Sequence, residues 1–144
     1  MARHVFFSFK YKPDVWRANS LRNQARLLGV SSTGYWDDSI YERSLASNPE
    51  YIKQKIREGL ENTSVTVILV TYITQKSNYV KYEYDKSIEK RNGILQLDVS
   101  DMKDQEGRLS RFNGWLSYVN RGIRKKWYHN CPLGDWIEEA YQNR

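Results

Sequence analysis

Val65-Thr66-Val67-Ile68-Leu69-Val70 indicates the fold class of this chain more clearly than any other segment. A short run dominated by β-branched and apolar residues predicts a strand that is buried on both faces. Such strands are typical of parallel sheets that helices cover on both sides. The stretch therefore predicts an α/β fold, and it is the strongest strand signal in the sequence.

A helix that carries a carboxylate follows this strand. Ser77 is a suitable N-terminal cap, and the apolar positions Val80, Tyr84 and Ile88 step by four, as in a helix. Glu83 lies about 100° of helical rotation from Tyr84, so we expect it at the margin of the buried stripe. In open α/β sheets, ligands bind in the crevice beyond the carboxyl ends of the strands. Glu83 is therefore the leading candidate for a catalytic group.

The alternation of strands and helices continues on both sides of this unit. Further strands are predicted at Val5–Phe9, weakly at Val30–Asp38, at Ile94–Val99 and, as an edge strand, at Lys126–Tyr128. Further helices are predicted at Val15–Leu28, from Asn48-Pro49 onward and at Leu133–Gln142, whereas Arg108–Asn120 is ambiguous. This order predicts a flavodoxin-like, three-layer α/β fold. We expect a central, mostly parallel sheet of about five strands, with its crevice above the first and third strands.

Length and composition limit the organisation of the chain. With 144 residues, of which 40% are hydrophobic, it is expected to form one domain, residues 1–144. No apolar stretch approaches the roughly 20 residues of a membrane span, and the N-terminal run is too short for a signal peptide. A single cysteine, Cys131, fits a reducing compartment. We therefore expect a cytoplasmic protein with no membrane partner.

The charge pattern favours a small ligand over a nucleic acid. The net charge is +6, but the basic residues are scattered among acids, and the cluster Arg121–Lys126 is typical of a solvated loop. A phosphate-bearing small ligand fits this balance at least as well as DNA or RNA, so no nucleic-acid partner is expected. Cys131 and His129 are two candidate metal ligands, which is too few for a zinc site, so no metal is predicted.

Several common catalytic motifs are missing from the sequence. The eight glycines never adopt the G-x-G-x-x-G or P-loop spacing, and there is no G-x-S-x-G elbow. One cysteine and two histidines give no convincing nucleophile set. Carboxylates and aromatic residues remain as the groups that could perform chemistry. A carboxylate in an aromatic-lined crevice is the minimum equipment for cleaving a glycosidic bond to a nucleotide.

A set of ordered segments along nearly the whole chain resembles one known family. The matching segments are Val5–Phe9, Gly34–Ser39, Ser64–Val70, Ser77–Glu83, Gly93–Leu95, Asp101–Asp104 and Leu133–Ala140. Together they resemble the TIR-like family typified by Thoeris ThsB proteins. One departure is that the family usually has Trp where Tyr79 and Tyr82 stand here. An aromatic ring is kept at both positions.

The resemblance implies a flavodoxin-like TIR fold that uses NAD as a substrate, with no resident cofactor. In the family, a glutamate at the position of Glu83 is needed to break the nicotinamide–ribose bond. The ADP-ribose part then yields a cyclic ADP-ribose-type signalling nucleotide, which activates a partner effector in anti-phage defence. The expected activity is therefore that of an NAD nucleosidase and ADP-ribosyl cyclase, and self-association is allowed by the same resemblance.

The candidate site is completed by residues near the carboxyl ends of the first two predicted strands. Rings that could stack on nicotinamide or adenine are Phe7, Phe9, Tyr11 and Trp36. Ser8 and Lys10 could bind ribose or phosphate, and Asp37 and Tyr82 complete the predicted substrate-binding set. Five of these residues have an alternative role: Phe7 in the core, Asp37 in a turn, Tyr82 in packing, and Lys10 and Tyr11 in solvent.

Two other functions remain open from the sequence. One is an NAD hydrolase that forms no cyclic product, and the other is a non-catalytic TIR-like module that binds other proteins. A receiver-type module would need acids at the end of the first strand to hold magnesium. That place reads Ser8-Phe9-Lys10, which argues against a receiver.

Overall fold

The structure is a computed structural model that describes residues 3–27, 31–33 and 49–144. The strands are β1 (His4–Ser8), β2 (Ser31–Thr33), β3 (Val65–Val70), β4 (Gly93–Asp98) and β5 (Ile123–Lys126). The helices are α1 (Tyr11–Leu27), α2 (Pro49–Leu60), α3 (Asn78–Glu89) and α4 (Leu133–Gln142), with a short 3₁₀ turn at Thr74–Lys76.

The strands form a five-stranded sheet in the order β2-β1-β3-β4-β5, and each neighbouring pair is parallel. The predicted α/β fold with a mostly parallel sheet of about five strands is therefore confirmed. The order reverses between β1 and β3, because β2 lies on one side of β1 whereas β4 and β5 follow β3 on the other. A reversal of this kind leaves a crevice at the carboxyl ends of the two central strands.

Alternate strand residues point to opposite faces of the sheet and build separate cores. On the face that packs against α1 and α4, here called the α1/α4 face, the inward residues of the three central strands β1, β3 and β4 are apolar. These residues are Val5, Phe7, Val65, Val67, Leu69, Leu95 and Leu97. The opposite α2/α3 face carries Phe6, Ile68, Val70 and Ile94, packed against α2, α3 and the loop before β5. The polar residues buried on this face are Ser8, Thr66, Gln96 and Asp98.

Several element boundaries differ from the sequence predictions. α1 begins at Tyr11 rather than Val15, because Pro13 falls in the first turn, where a helix needs no amide hydrogen bond. The edge strand lies at Ile123–Lys126 rather than Lys126–Tyr128, so part of the basic cluster predicted to be a loop is in the sheet. The strand begins after Gly122, which has a φ of 89° and whose backbone lies directly against Ile94.

The ambiguous segment 108–120 forms neither a helix nor a strand. Its apolar residues Leu116 and Val119 are nevertheless buried against α3. The Leu116 amide donates a hydrogen bond to Oε1 of Gln96 at 2.9 Å, which fastens the loop to β4. The burial of Leu116 and Val119 therefore comes from tertiary packing of a loop.

Among the described residues, no helix is long and apolar enough to cross a bilayer. The same residues contain no group of three or more side chains that could hold a metal ion.

Candidate active site

The start of α3 is fixed by hydrogen bonds that follow directly from β3. The Thr74 hydroxyl donates to the Leu69 carbonyl at 3.1 Å, which folds the chain back at the end of the strand. The Ser77 hydroxyl then accepts the Val80 amide at 3.2 Å, so Ser77 is the predicted N-terminal cap. These contacts set where α3 begins, and therefore where Glu83 stands above the sheet.

Glu83 lies at the end of β1 with only 2% of its surface exposed. The hydroxyl of Ser8, the last residue of β1, donates a hydrogen bond to its Oε1 at 2.9 Å. The expected position at the margin of the buried stripe was wrong, because Val80, Glu83, Tyr84 and Ser87 together form the buried face of α3. The sheet beneath offers polar partners there, so the helix can bury polar residues at its centre.

A chain of hydrogen bonds also holds the backbone of α3 beside Glu83. The Ser87 hydroxyl donates its one proton to the Glu83 carbonyl at 2.7 Å. Thr66 of β3 must then donate in the Thr66–Ser87 contact of 2.7 Å, and it accepts the Asn92 amide at 3.2 Å. All three hydroxyl or amide side chains are buried. The helix is thereby tied to β3 one turn beyond the carboxylate.

Tyr118 lies close enough to Glu83 to respond to its charge. Burial raises the pKa of the Tyr118 hydroxyl above its usual value, and the negative charges of Glu83 and Asp85 raise it further. The ring packs against Tyr84 at a centroid distance of 5.9 Å, with the Lys81 ammonium 5.7 Å from the Tyr118 ring. Within the described part of the chain, this buried hydroxyl has no hydrogen-bond partner. A phenol remains neutral here and can donate a hydrogen bond.

The structure brings Ser8 and Glu83 together and separates other members of the predicted set. Phe7 and Phe9 are buried in the core of the α1/α4 face, on the side of the sheet opposite Glu83. Lys10 follows β1 and is half-buried. The side chain of Tyr11, and all of Trp36 and Asp37, lie outside the described residues. The contacts of these residues with a ligand stay predictions.

Tyr82 faces α2 from the opposite edge of α3. Its hydroxyl accepts a hydrogen bond from Nη1 of Arg57 at 2.8 Å, and its ring packs beside the core of α2. The ammonium groups of Lys53 and Lys86 lie 5.4 and 5.6 Å from the ring centroid. Tyr82 therefore has a packing role between the two helices, and its contact with substrate also stays a prediction.

A buried ion pair that the sequence did not predict lies at the same edge of the sheet. Nη1 of Arg17 contacts Oδ1 of Asp14 at 2.8 Å, and the Thr71 hydroxyl donates to the other carboxylate oxygen at 2.7 Å. Nε of Arg17 also donates to the Met102 carbonyl at 2.7 Å, so α1 is joined to the segments that follow β3 and β4. Burial raises the pKa of Asp14. The hydrogen bond from Thr71 and the charge and hydrogen bond of Arg17 act in the opposite direction and lower it. The i,i+3 spacing of opposite charges was the available signal.

Comparison with known proteins identifies the family. The family described as "Thoeris protein ThsB, TIR-like domain" matches residues 6–104, which include both Ser8 and Glu83. A relative from Bacillus cereus (strain MSX-D12), named "Putative cyclic ADP-D-ribose synthase ThsB1", is 38% identical over 111 residues. That match covers 76% of this chain and 58% of the relative, so the chain spans a little over half of the relative's length. The parallel sheet, the buried glutamate on α3 and these matches lead to one conclusion: the chain belongs to the Thoeris ThsB TIR-like family.

Proposed function

We propose that this protein is an enzyme that cleaves NAD at the nicotinamide–ribose bond and forms a cyclic ADP-ribose-type nucleotide. Family membership and the printed name of the Bacillus cereus relative support this proposal. The single observation that carries it is the Glu83 carboxylate, 2% exposed and hydrogen-bonded by Ser8 at the carboxyl end of a central parallel strand.

The proposed chemistry needs a negative charge and little else from the protein. When the bond between ribose C1′ and nicotinamide breaks, its electron pair neutralises the pyridinium, so nicotinamide leaves without taking a proton. The ribose acquires oxocarbenium character, which a fixed carboxylate stabilises. A carboxylate withdrawn from water acts more strongly on a developing charge than a solvated one. The burial of Glu83 therefore favours this role over that of a surface carboxylate.

The second step decides the product. If a nucleophilic atom of the same nucleotide attacks C1′ and loses its proton, a cyclic product forms. If water attacks instead, the product is ADP-ribose and the protein is an NAD hydrolase. Exclusion of water from the site favours the cyclic product. NAD is in this scheme a substrate, and no resident cofactor takes part.

The biological role follows from the same proposal. A cyclic nucleotide made from the NAD of the cytoplasm diffuses to a partner effector and activates it in anti-phage defence. The partner is then reached through the nucleotide, so the enzyme needs no lasting contact with the effector.

The test is incubation of the purified protein with NAD, with the products resolved by mass. Free nicotinamide together with a product one water lighter than ADP-ribose is expected, whereas ADP-ribose itself would indicate the hydrolase. Glu83→Gln is nearly isosteric and keeps an acceptor for Ser8, so it should lower kcat by about 10²- to 10³-fold without unfolding the protein. The matched control is Glu89→Gln, an exposed glutamate on the same helix, which should retain full turnover.

Two results would contradict the proposal. Full turnover by Glu83→Gln would remove the carboxylate from the mechanism. Absence of nicotinamide release, both alone and with lysate of phage-infected cells, would favour the non-catalytic interaction module.

A further inference from the structure

We propose that Ser8 is a positioning residue for Glu83, whose hydroxyl orients the carboxylate and does not bind the phosphate groups of the substrate. The kinetic part of this inference rests on the proposed function. It revises the expectation that Ser8 contacts ribose or phosphate directly, and it begins from the contact between the Ser8 hydroxyl and Oε1 of Glu83 at 2.9 Å.

The location of Ser8 makes its hydroxyl a fixed reference point. Ser8 is the last residue of β1 and is paired in register with Ile68 of β3, which lies in the middle of the sheet. Its side chain is fully buried and shares the α2/α3 face with Phe6. A donor on a paired central strand moves less than one on a loop, so it can hold a flexible side chain in one orientation.

The proton count of the hydroxyl decides what else Ser8 can do. A serine has one hydrogen to donate, and in this structure it goes to Glu83. A phosphate at neutral pH accepts hydrogen bonds and would compete for that same hydrogen. A carboxylate that accepts a hydrogen bond is stabilised in its charged form, which is the form that the proposed chemistry requires. Ser8 therefore serves the reaction through Glu83.

The backbone of Glu83 is held by a separate contact. The Ser87 hydroxyl donates to the Glu83 carbonyl at 2.7 Å and is itself joined to Thr66. Loss of the Ser8 hydroxyl therefore removes one donor from the carboxylate and leaves the backbone anchor of α3 in place. This separation makes a substitution of Ser8 a clean test of orientation.

The chain offers a closely matched control in another buried serine–carboxylate pair. The Ser100 hydroxyl donates to Oδ1 of Asp98 at 2.6 Å, at the carboxyl end of β4, and both residues are buried. Ser100→Ala removes the same kind of hydrogen bond from the same edge of the sheet. It should cost a similar amount of stability without changing the orientation of Glu83.

The kinetic experiment compares Ser8→Ala, Ser8→Cys and Ser100→Ala in the full chain, with NAD as the substrate. Ser8→Ala should lower kcat by roughly 10- to 100-fold and change KM by less than about 2-fold. Ser8→Cys keeps a weak donor of similar size and should recover part of kcat, and Ser100→Ala should retain it. A large increase in KM at unchanged kcat would show that Ser8 binds substrate. Unchanged kcat and KM would show that Ser8 neither binds substrate nor positions Glu83 for the reaction.

A second experiment needs no enzymatic activity. The carboxyl carbon of Glu83 is followed by ¹³C NMR against pH, with its signal assigned through Glu83→Gln. In Ser8→Ala the titration midpoint should move upward by roughly one to two pH units, because one donor to the ionised form is removed. Ser8→Cys gives a smaller upward shift, and Ser100→Ala leaves the midpoint in place.

These outcomes separate the inference from the proposed function. An unchanged midpoint in both Ser8 variants would overturn the positioning role, whatever the enzyme does. A shifted midpoint in a protein that releases no nicotinamide would instead retain the positioning role and remove the proposed function.

Discussion

The two faces of the sheet are built from alternate residues of the same strands, yet they differ in chemistry. On the α1/α4 face, every inward residue of the three central strands is apolar. On the α2/α3 face, Ser8, Thr66 and Gln96 are buried, and each has a hydrogen-bond partner in the helix or loop that covers it. One face therefore supplies mainly apolar burial, and the other adds directional contacts.

The difference between the two faces explains how this fold positions the Glu83 carboxylate. Apolar burial is strong but non-directional, so it holds a helix on a sheet without fixing its height or rotation closely. A hydrogen bond contributes little net free energy, but it forms only within a narrow range of distance and angle, so it fixes the positions of its two partners. The polar contacts of the α2/α3 face therefore position α3 and Glu83, while the opposite face stabilises the sheet beneath them.

The largest expected effect comes from the apolar face. Leu97→Ala opens a cavity at a fully buried position and should lower the free energy of unfolding by about 2–5 kcal/mol. The control is Leu109→Ala at a position that is 59% exposed, which should change stability by less than about 0.5 kcal/mol. Chemical denaturation measures both variants. Equal, small effects would contradict the assignment of the main core to this face.

Two reciprocal substitutions on β3 test the two faces of the sheet, because threonine and valine have nearly the same shape. Thr66→Val removes the donor to Ser87 and an acceptor of Asn92, and should cost about 1–3 kcal/mol. Val67→Thr, at the next residue, inserts a hydroxyl into the apolar face and should cost a similar amount for the opposite reason.

The two variants should differ in activity. Thr66→Val disturbs the anchor of α3 and should reduce the turnover of folded protein, whereas Val67→Thr should leave that turnover unchanged. Denaturation curves and NAD turnover per folded molecule make the comparison. Equal turnover in both variants would mean that the hydrogen bonds among Thr66, Ser87 and Asn92 do not position Glu83.

The smallest effect is expected at an ion pair outside both faces. Nε and Nη2 of Arg3 contact the two carboxylate oxygens of Glu138 at 2.8 and 2.9 Å. The Arg3 hydrogen bond lowers the pKa of Glu138 to about 2, below its ordinary value of 4.5. Because the folded-state pKa is depressed, the pair stabilises the protein above pH 4.5, and that contribution is lost as the pH falls toward 2.

The measurement is the pH dependence of the unfolding midpoint. Glu138→Gln should flatten the decline between pH 4.5 and 2 relative to the unchanged chain, and it should have little effect on turnover. A decline of the same slope in both proteins would show that this surface pair contributes nothing measurable, as is common for exposed ion pairs.

Much of the fold could be predicted from local patterns. The apolar run of β3, the cap at Ser77 and the helix Leu133–Gln142 were all confirmed within a few residues, since each depends on periodicity or on a local capping contact. β5 was placed about three residues too late, because its start depends on the close approach of Gly122 to Ile94. The segment 108–120 was ambiguous in the sequence, because the burial of Leu116 and Val119 comes from packing against α3 and not from a local period.

The candidate site was predictable only in part. The type and approximate location of Glu83 followed from a carboxylate on a helix after a buried strand, but its depth did not. Periodicity assigns a residue to a helix face by the apolar residues around it, and Ser87 and Glu83 are polar members of the buried face. The i,i+3 spacing of Asp14 and Arg17 is local, but the contacts that bury the pair, with Thr71 and Met102, join residues far apart in the sequence. The same holds for the bonds of Thr66 to Ser87 and Asn92, and no local pattern reports such contacts.

Local sequence patterns were enough to establish the alternation of strands and helices, the parallel sheet and the presence of a glutamate on the helix after β3. These properties depend on side-chain periodicity and capping, which act over a few residues. The tertiary structure was needed to show that this glutamate is buried, that Ser8 donates a hydrogen bond to it and that the α2/α3 face carries buried polar residues. Those properties depend on which strands become neighbours, and the order β2-β1-β3 brings together residues 75 positions apart.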